Sequence, residues 1–170
     1  MKLAYHHRVR SKDGQYVHVA ELIEALRRRG HEVVLVEPGG TREAAFGDGA
    51  GLVAGLKRAL PKAAYELLEL AYGLVAGLRL LYVCWRVQPD IVYERYNLHL
   101  PAGAIVRRLL GVPLLLEVNA PLAEERARHD GLGLPRLAER VEGLVWRGCD
   151  RVLVVILPCQ KRDPISGHVR

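Results

Sequence analysis

The stretch Pro89–Asn119, PDIVYERYNLHLPAGAIVRRLLGVPLLLEVN, decides the fold. Pro89-Asp90 leads into Ile91-Val92-Tyr93, a short apolar run that reads as a strand. Asn97–Leu110 reads as a helix, with Pro101 near its first turn, where a missing N–H is tolerated. Gly111-Val112-Pro113 is a turn. Leu114–Val118 is then almost continuously apolar, as strands covered on both faces are. Strand, helix and strand within about 30 residues form a crossover unit with parallel strands.

The same alternation extends in both directions. Upstream, Lys2–Tyr5 is a first strand, His6–Gly14 a polar run, and Gln15–Arg29 a helix stopped by Gly30. Glu32–Val36 is a second strand, closed by Pro38-Gly39-Gly40. Thr41–Leu60 is a Gly-rich excursion with a short helix expected near Leu52–Leu60. Pro61 can open a long helix running to Val87. Downstream, Asn119–Leu134 is a polar loop with some helix, Pro135–Arg147 a helix and Arg151–Ile156 a fifth strand. The pattern predicts a single α/β domain over residues 1–156: a doubly wound, mostly parallel, Rossmann-like sheet with helices on both faces. Residues 157–170 hold a second proline and show no helical or strand period. They read as an irregular tail, a loose end or the mark of a truncated or frame-shifted product.

Half of the 170 residues are hydrophobic and 26% are charged, which excludes a disordered chain or a disulfide-stapled miniprotein. The net charge is +6, and twenty of the cations are Arg. That balance suits a phosphorylated ligand, an anionic membrane face or nucleic acid, and alone selects none of them. Cys84, Cys149 and Cys159 read as reduced thiols of a cytoplasmic protein, two of them in the core. MKLAYHHRVR does not read as a signal peptide. Ala63–Val87 is the most membrane-like segment, but its longest uncharged stretch is Leu70–Leu78, well short of the ~20 residues a span needs. It is expected to be a long buried helix, with a shallow dip into a membrane surface as the lesser alternative.

Ligands of such sheets bind at the C-terminal strand ends, near the point where strand order reverses. The first such loop carries Arg8, Arg10 and Lys12, two histidines, and Gly14-Gln15 at the start of a helix. A helix N-terminus supplies N–H donors and partial positive charge to an anion, and glycine permits close approach. A solvated basic loop explains the same residues about equally well. Glu94-Arg95 follows the third strand and Glu117-Val118-Asn119 ends the fourth. Such groups can bind hydroxyl-rich ligands or orient a reacting group; capping of local turns and pairing with neighbours is the plain alternative. Gly49-Ala50-Gly51-Leu52-Val53-Ala54 matches GxGxxA in letters but follows no strand, so chance explains it. Seven histidines show no HExxH and no Cys/His pairing, so no metal is expected. Arg27-Arg28-Arg29 and Arg107-Arg108 sit in last helical turns, and no basic–aromatic interleaving occurs, so nucleic acid is not expected as a partner.

Taken in order, DGQYVHVAELIEALRRRGHEVVLV (Asp13–Val36), PDIVYERYN (Pro89–Asn97) and GVPLLLEVNAPL (Gly111–Leu122) resemble the N-terminal domain of retaining nucleotide-sugar glycosyltransferases with two Rossmann-like domains, the GT-B type. Arg29-Gly30-His31-Glu32-Val33 is similar to that family's helix end and second strand. The resemblance implies transfer of a sugar from a nucleotide-diphosphate sugar to a hydroxyl acceptor, with no cofactor or metal. It implies that Gly14 and Gln15 match the glycine loop facing the donor diphosphate, with Arg8, Arg10 or Lys12 adding charge. It places Glu94 and Arg95 on the acceptor side, and Glu117 and Asn119 beside the reacting sugar as the catalytic candidates. The common pattern has a histidine where this chain has Val118. The donor-binding C-terminal domain, with its Arg/Lys pair and Glu-x7-Glu element, has no counterpart in these residues. The expectation is therefore an acceptor-side domain, weak or inactive without a donor domain on a separate polypeptide, cytoplasmic, and touching the inner membrane face peripherally. The alternative is a non-catalytic α/β module that binds a phosphorylated small molecule or a partner protein. A Rossmann oxidoreductase is disfavoured, because no GxGxxG follows the first strand.

Overall fold

A computed structural model describes residues 1–8, 14–37, 55 and 57–155. Five strands, β1 (Lys2–His6), β2 (Glu32–Val36), β3 (Ile91–Arg95), β4 (Leu114–Val118) and β5 (Arg151–Val154), form one sheet in the order β2-β1-β3-β4-β5. Every pairing is parallel. The helices are α1 (Gly14–Arg28), α2 (Lys62–Val87), α3 (Ala102–Leu110), α4 (Leu122–His129) and α5 (Pro135–Arg147).

Side-chain alternation along the strands sorts the helices onto the two faces. Tyr5, Val33 and Tyr93 pack with Val19 and Ile23 of α1 on one face. Ala4, Val92 and Leu114 pack with Leu80 and Cys84 of α2 and Val106 of α3 on the other. Leu116 and Val118 meet Val141 and Val145 of α5. α1 lies on one face while the connection from β2 to β3 crosses to the other, so strand order reverses between β1 and β3. In sheets of this order the crevice for ligands opens there, at the C-terminal ends of those two strands.

Two glycines set how close the layers come. A Cβ on Gly73 of α2 would collide with the His99 carbonyl oxygen, and one on Gly103 of α3 would meet the Leu114 side chain at 2.6 Å and the Glu94 carboxylate at 3.1 Å.

The observed elements differ from expectation in several places: β1 runs on to His6, β5 ends at Val154 where Ile156 is expected, and three further differences bear on the site. β3 runs on to Arg95, which brings Glu94 and Arg95 into the strand itself. The helix expected over Asn97–Leu110 begins only at Ala102, because the chain turns first: Leu100 N–H donates to the Asn97 carbonyl, and His99 takes a left-handed φ of 61°. α2, expected to be buried, buries one side only; Leu67, Leu74, Val75, Leu78, Tyr82 and Trp85 are exposed. Residues 57–59 are helical, whereas the rest of the expected 52–60 helix apart from Gly55 and Leu60, the GxGxxA letters at 49–54 and the 157–170 tail lie outside the described residues.

Candidate functional site

β1 and β3 end side by side, with His6 in register with Glu94. His6 Nδ1 lies 2.7 Å from Glu94 Oε2, and both side chains are buried. A carboxylate oxygen accepts, so Nδ1 is the donor of this pair. The same Oε2 accepts the backbone N–H of Gly103, 2.8 Å away in the first turn of α3. That donor belongs to a helix N-terminus, which favours the carboxylate charge. Glu94 Oε1 is buried and has no partner among the described residues.

One strand over, Glu117 is fully buried, and three side chains converge on it. Tyr93 Oη donates to its Oε2 at 2.9 Å. Arg95 Nη1 donates to its Oε1 at 2.5 Å. His18 Nε2, from α1, stands 3.5 Å from the same Oε1 and is partly open to solvent. Tyr93 stacks on Tyr5 with ring centroids 4.9 Å apart. Burial, then the Glu117 charge and the hydrogen bond to it, push the Tyr93 hydroxyl far above its ordinary pKa, so it stays a neutral donor. Burial followed by the same charge raises Tyr5.

On the α2 face, beside the His6–Glu94 pair, a cavity of about 140 Å³ is lined by His6, Val36 and Glu37 from the strand ends and by Tyr72, Val75, Ala76 and Arg79 of α2. The Arg8 guanidinium sits over the Tyr72 ring, 4.7 Å from its centroid. The cavity is smaller than the roughly 300–1,000 Å³ of a closed ligand pocket.

Residues 13–157 match the glycosyl transferase 4-like domain family. The chain belongs to that family. Its GT-B-like fold is shared with the glycosyltransferase SnogD from Streptomyces nogalater, at a TM-score of 0.52 and 18% identity, over 92% of this chain and 43% of that one. The UDP-GlcNAc 2-epimerase of Methanocaldococcus jannaschii, solved with UDP-GlcNAc and UDP, aligns over 91% of this chain and 46% of its own, at 15% identity and a TM-score of 0.48. The chain thus spans less than half the length of either. No curated protein matches it.

Within this glycosyl transferase 4-like domain, the described residues among those singled out from sequence fall at one rim but in unequal positions. Glu94, Arg95 and Glu117 are buried and engaged by protein partners. They can orient neighbouring groups more readily than they can touch a ligand. Asn119 is exposed immediately beyond β4. Gly14 and Gln15 open α1, at the end that favours anions. Arg8 is turned toward α2. Arg10 and Lys12 lie outside the described residues. Sequence reasoning did not single out the His6–Glu94 pair, nor His18 and Tyr93 as partners of Glu117. For His6 and His18 the available signal was position, one as the last residue of β1 and the other one turn into α1.

Proposed function

We propose that this domain forms the acceptor side of a glycosyltransferase that moves a sugar from a nucleoside-diphosphate sugar to a hydroxyl acceptor. A second domain facing the rim, on another polypeptide or elsewhere in the protein, would hold most of the donor nucleotide. The observation that carries this reading is the His6 imidazole, held at 2.7 Å by Glu94 of β3 and lining the cavity between the ends of β1 and β2 and α2. A histidine oriented through one nitrogen by a carboxylate is equipped to take a proton through the other. As the acceptor oxygen bonds to the anomeric carbon, its proton passes to His6. The bond from that carbon to the diphosphate breaks, and the diphosphate leaves with the electron pair.

The N-terminus of α1 at Gly14 and Gln15, with Arg8, Arg10 and Lys12, would offset the charge of the departing diphosphate. The reading assigns this role to the protein's own cations and needs no resident metal or cofactor. Glu117, through His18 and Arg95, and exposed Asn119 would shape the space beside the sugar. The reading places the domain in the cytoplasm against the inner membrane face. Cys84 and Cys149, free among the described residues, are compatible with that compartment.

One observation favours the non-catalytic module instead: Glu117 and Arg95 already satisfy each other inside the protein. Calorimetry with a panel of nucleoside-diphosphate sugars, together with an assay of nucleoside-diphosphate release, separates the two. The transferase reading predicts binding that Gly14→Val weakens about tenfold by blocking the helix end. It predicts that His6→Ala keeps this binding and slows release by about 10²–10⁴-fold. Binding untouched by Gly14→Val, with turnover untouched by His6→Ala, would overturn it. Phosphate-dependent binding without turnover, even when the donor-binding domain is supplied, would favour the module.

A further inference from the structure

α2 is amphipathic in an unusual sense, because its acids point inward and its apolar side points out. Glu66 and Glu69 both engage protein partners: Glu66 accepts the Gly133 and Leu134 N–H groups, and Glu69 pairs with Arg126. The opposite side carries Leu67, Leu74, Leu78, Tyr82 and Trp85, each 46–63% exposed. Leu74, Leu78, Tyr82 and Trp85 are spaced three to four residues apart and Leu67 lies two turns before them, so they make one stripe along the helix. From residue 67 to 85 the stripe is about 27 Å long at 1.5 Å per residue. It continues over a groove of about 340 Å³ between α2 and α3, whose far wall is Leu109 and Leu110. Isolated exposed leucines need no explanation, but a contiguous stripe of this length does.

The charges beside the stripe are of one sign. Arg79 and Arg86 flank it on α2 and Arg108 borders the groove on α3; all three are exposed, and none pairs with a described residue. No acid of α2 lies on that side. Tyr82 and Trp85 sit together near its C-terminal end, their ring centroids 6.4 Å apart, and such side chains favour the boundary between hydrocarbon and water.

We propose that α2 is an interfacial helix that docks the domain on an anionic lipid surface, its apolar stripe in the acyl boundary and its arginines among the headgroups. By length and composition α2 could also cross a bilayer. It does not do so here, because its other side holds two carboxylates and packs Leu80 and Cys84 into the sheet core. A second copy is a poorer occupant, since a self-complementary interface would bring the same arginines together with no acid opposite them. The proposal stands on the stripe and its charges and does not depend on the transfer reading. Val75 and Arg79 belong both to this side of α2 and to the cavity wall at the rim, so docking would set the cavity close to the lipid.

Flotation of the purified chain with vesicles tests the proposal. One set is phosphatidylcholine with about a third phosphatidylglycerol, and the other is phosphatidylcholine alone. The chain should float with the anionic set and bind the neutral set about tenfold less or weaker. The double variant L78E/W85E should lose binding to both. R79Q/R86Q should lose about thirtyfold on anionic vesicles only. These positions are exposed, and circular dichroism confirms that the variants remain folded. Absence of flotation in the wild type, or flotation unchanged in L78E/W85E, overturns the proposal. A wild-type dimer in solution that L78E/W85E dissolves also overturns it, in favour of a second copy.

Discussion

Glu117 has no exposed surface, yet three side chains from two elements, β3's Tyr93 and Arg95 and α1's His18, meet its carboxylate. A carboxyl group so deep is tolerated only with such partners, and removing one leaves a buried polar atom unsatisfied. His99 is the opposite case. It is wholly buried, both ring nitrogens lack partners among the described residues, and its carbonyl presses against Gly73. Burial holds its pKa below the ordinary value; Glu69 and Glu66 oppose the shift, while Arg126 and Arg8 add to it. The folded state therefore binds the proton less readily than the unfolded chain. Stability should be whole above about pH 6.5 and fall as pH drops toward the folded pKa. Urea unfolding from pH 8 to pH 5 checks this against His99→Asn, which accepts a left-handed φ. The wild type should lose stability over that range more steeply than the variant. Equal slopes would contradict the assignment.

At the scale of elements, α2 organises the sheet's second face and caps a distant helix. The first turn of α5 lacks a capping side chain of its own, and Glu66, from α2, accepts the N–H groups of Gly133 and Leu134 instead. Glu66→Gln should lower stability by about 1.5–3 kcal/mol, measured by urea unfolding, because an amide offers one acceptor where the carboxylate offers two. A change within about 0.5 kcal/mol would mean that the cap carries no weight. The elements themselves were largely legible: β2, β4 and α5 have the bounds their apolar runs and flanking prolines and glycines indicate. The start of α3 was not, because the turn at His99 depends on packing beneath α2 that no local pattern encodes. Nor was the exposure of α2, since a helix apolar nearly all round gives no periodicity from which to choose its buried side.

The whole molecule gathers its polar strand ends at one rim because every strand runs the same way and the order reverses between β1 and β3. That rim was readable in advance from the strand–helix alternation; which groups on it pair with one another was not. Glu94 finds His6, 88 residues away, and Glu117 reaches back to His18 on α1, so these pairs exist only once the sheet is assembled. The family match and the fold fix the kind of domain, and the central claim is that its ligands meet it at this rim. Heteronuclear NMR of the purified chain, titrated with nucleoside-diphosphate sugars, tests that claim most directly. Shifts concentrated at His6–Arg8, Gly14–His18, Glu94–Arg95 and Glu117–Asn119 are predicted. Shifts confined to the N-terminal ends of the strands, or none at any concentration of donor, would contradict it.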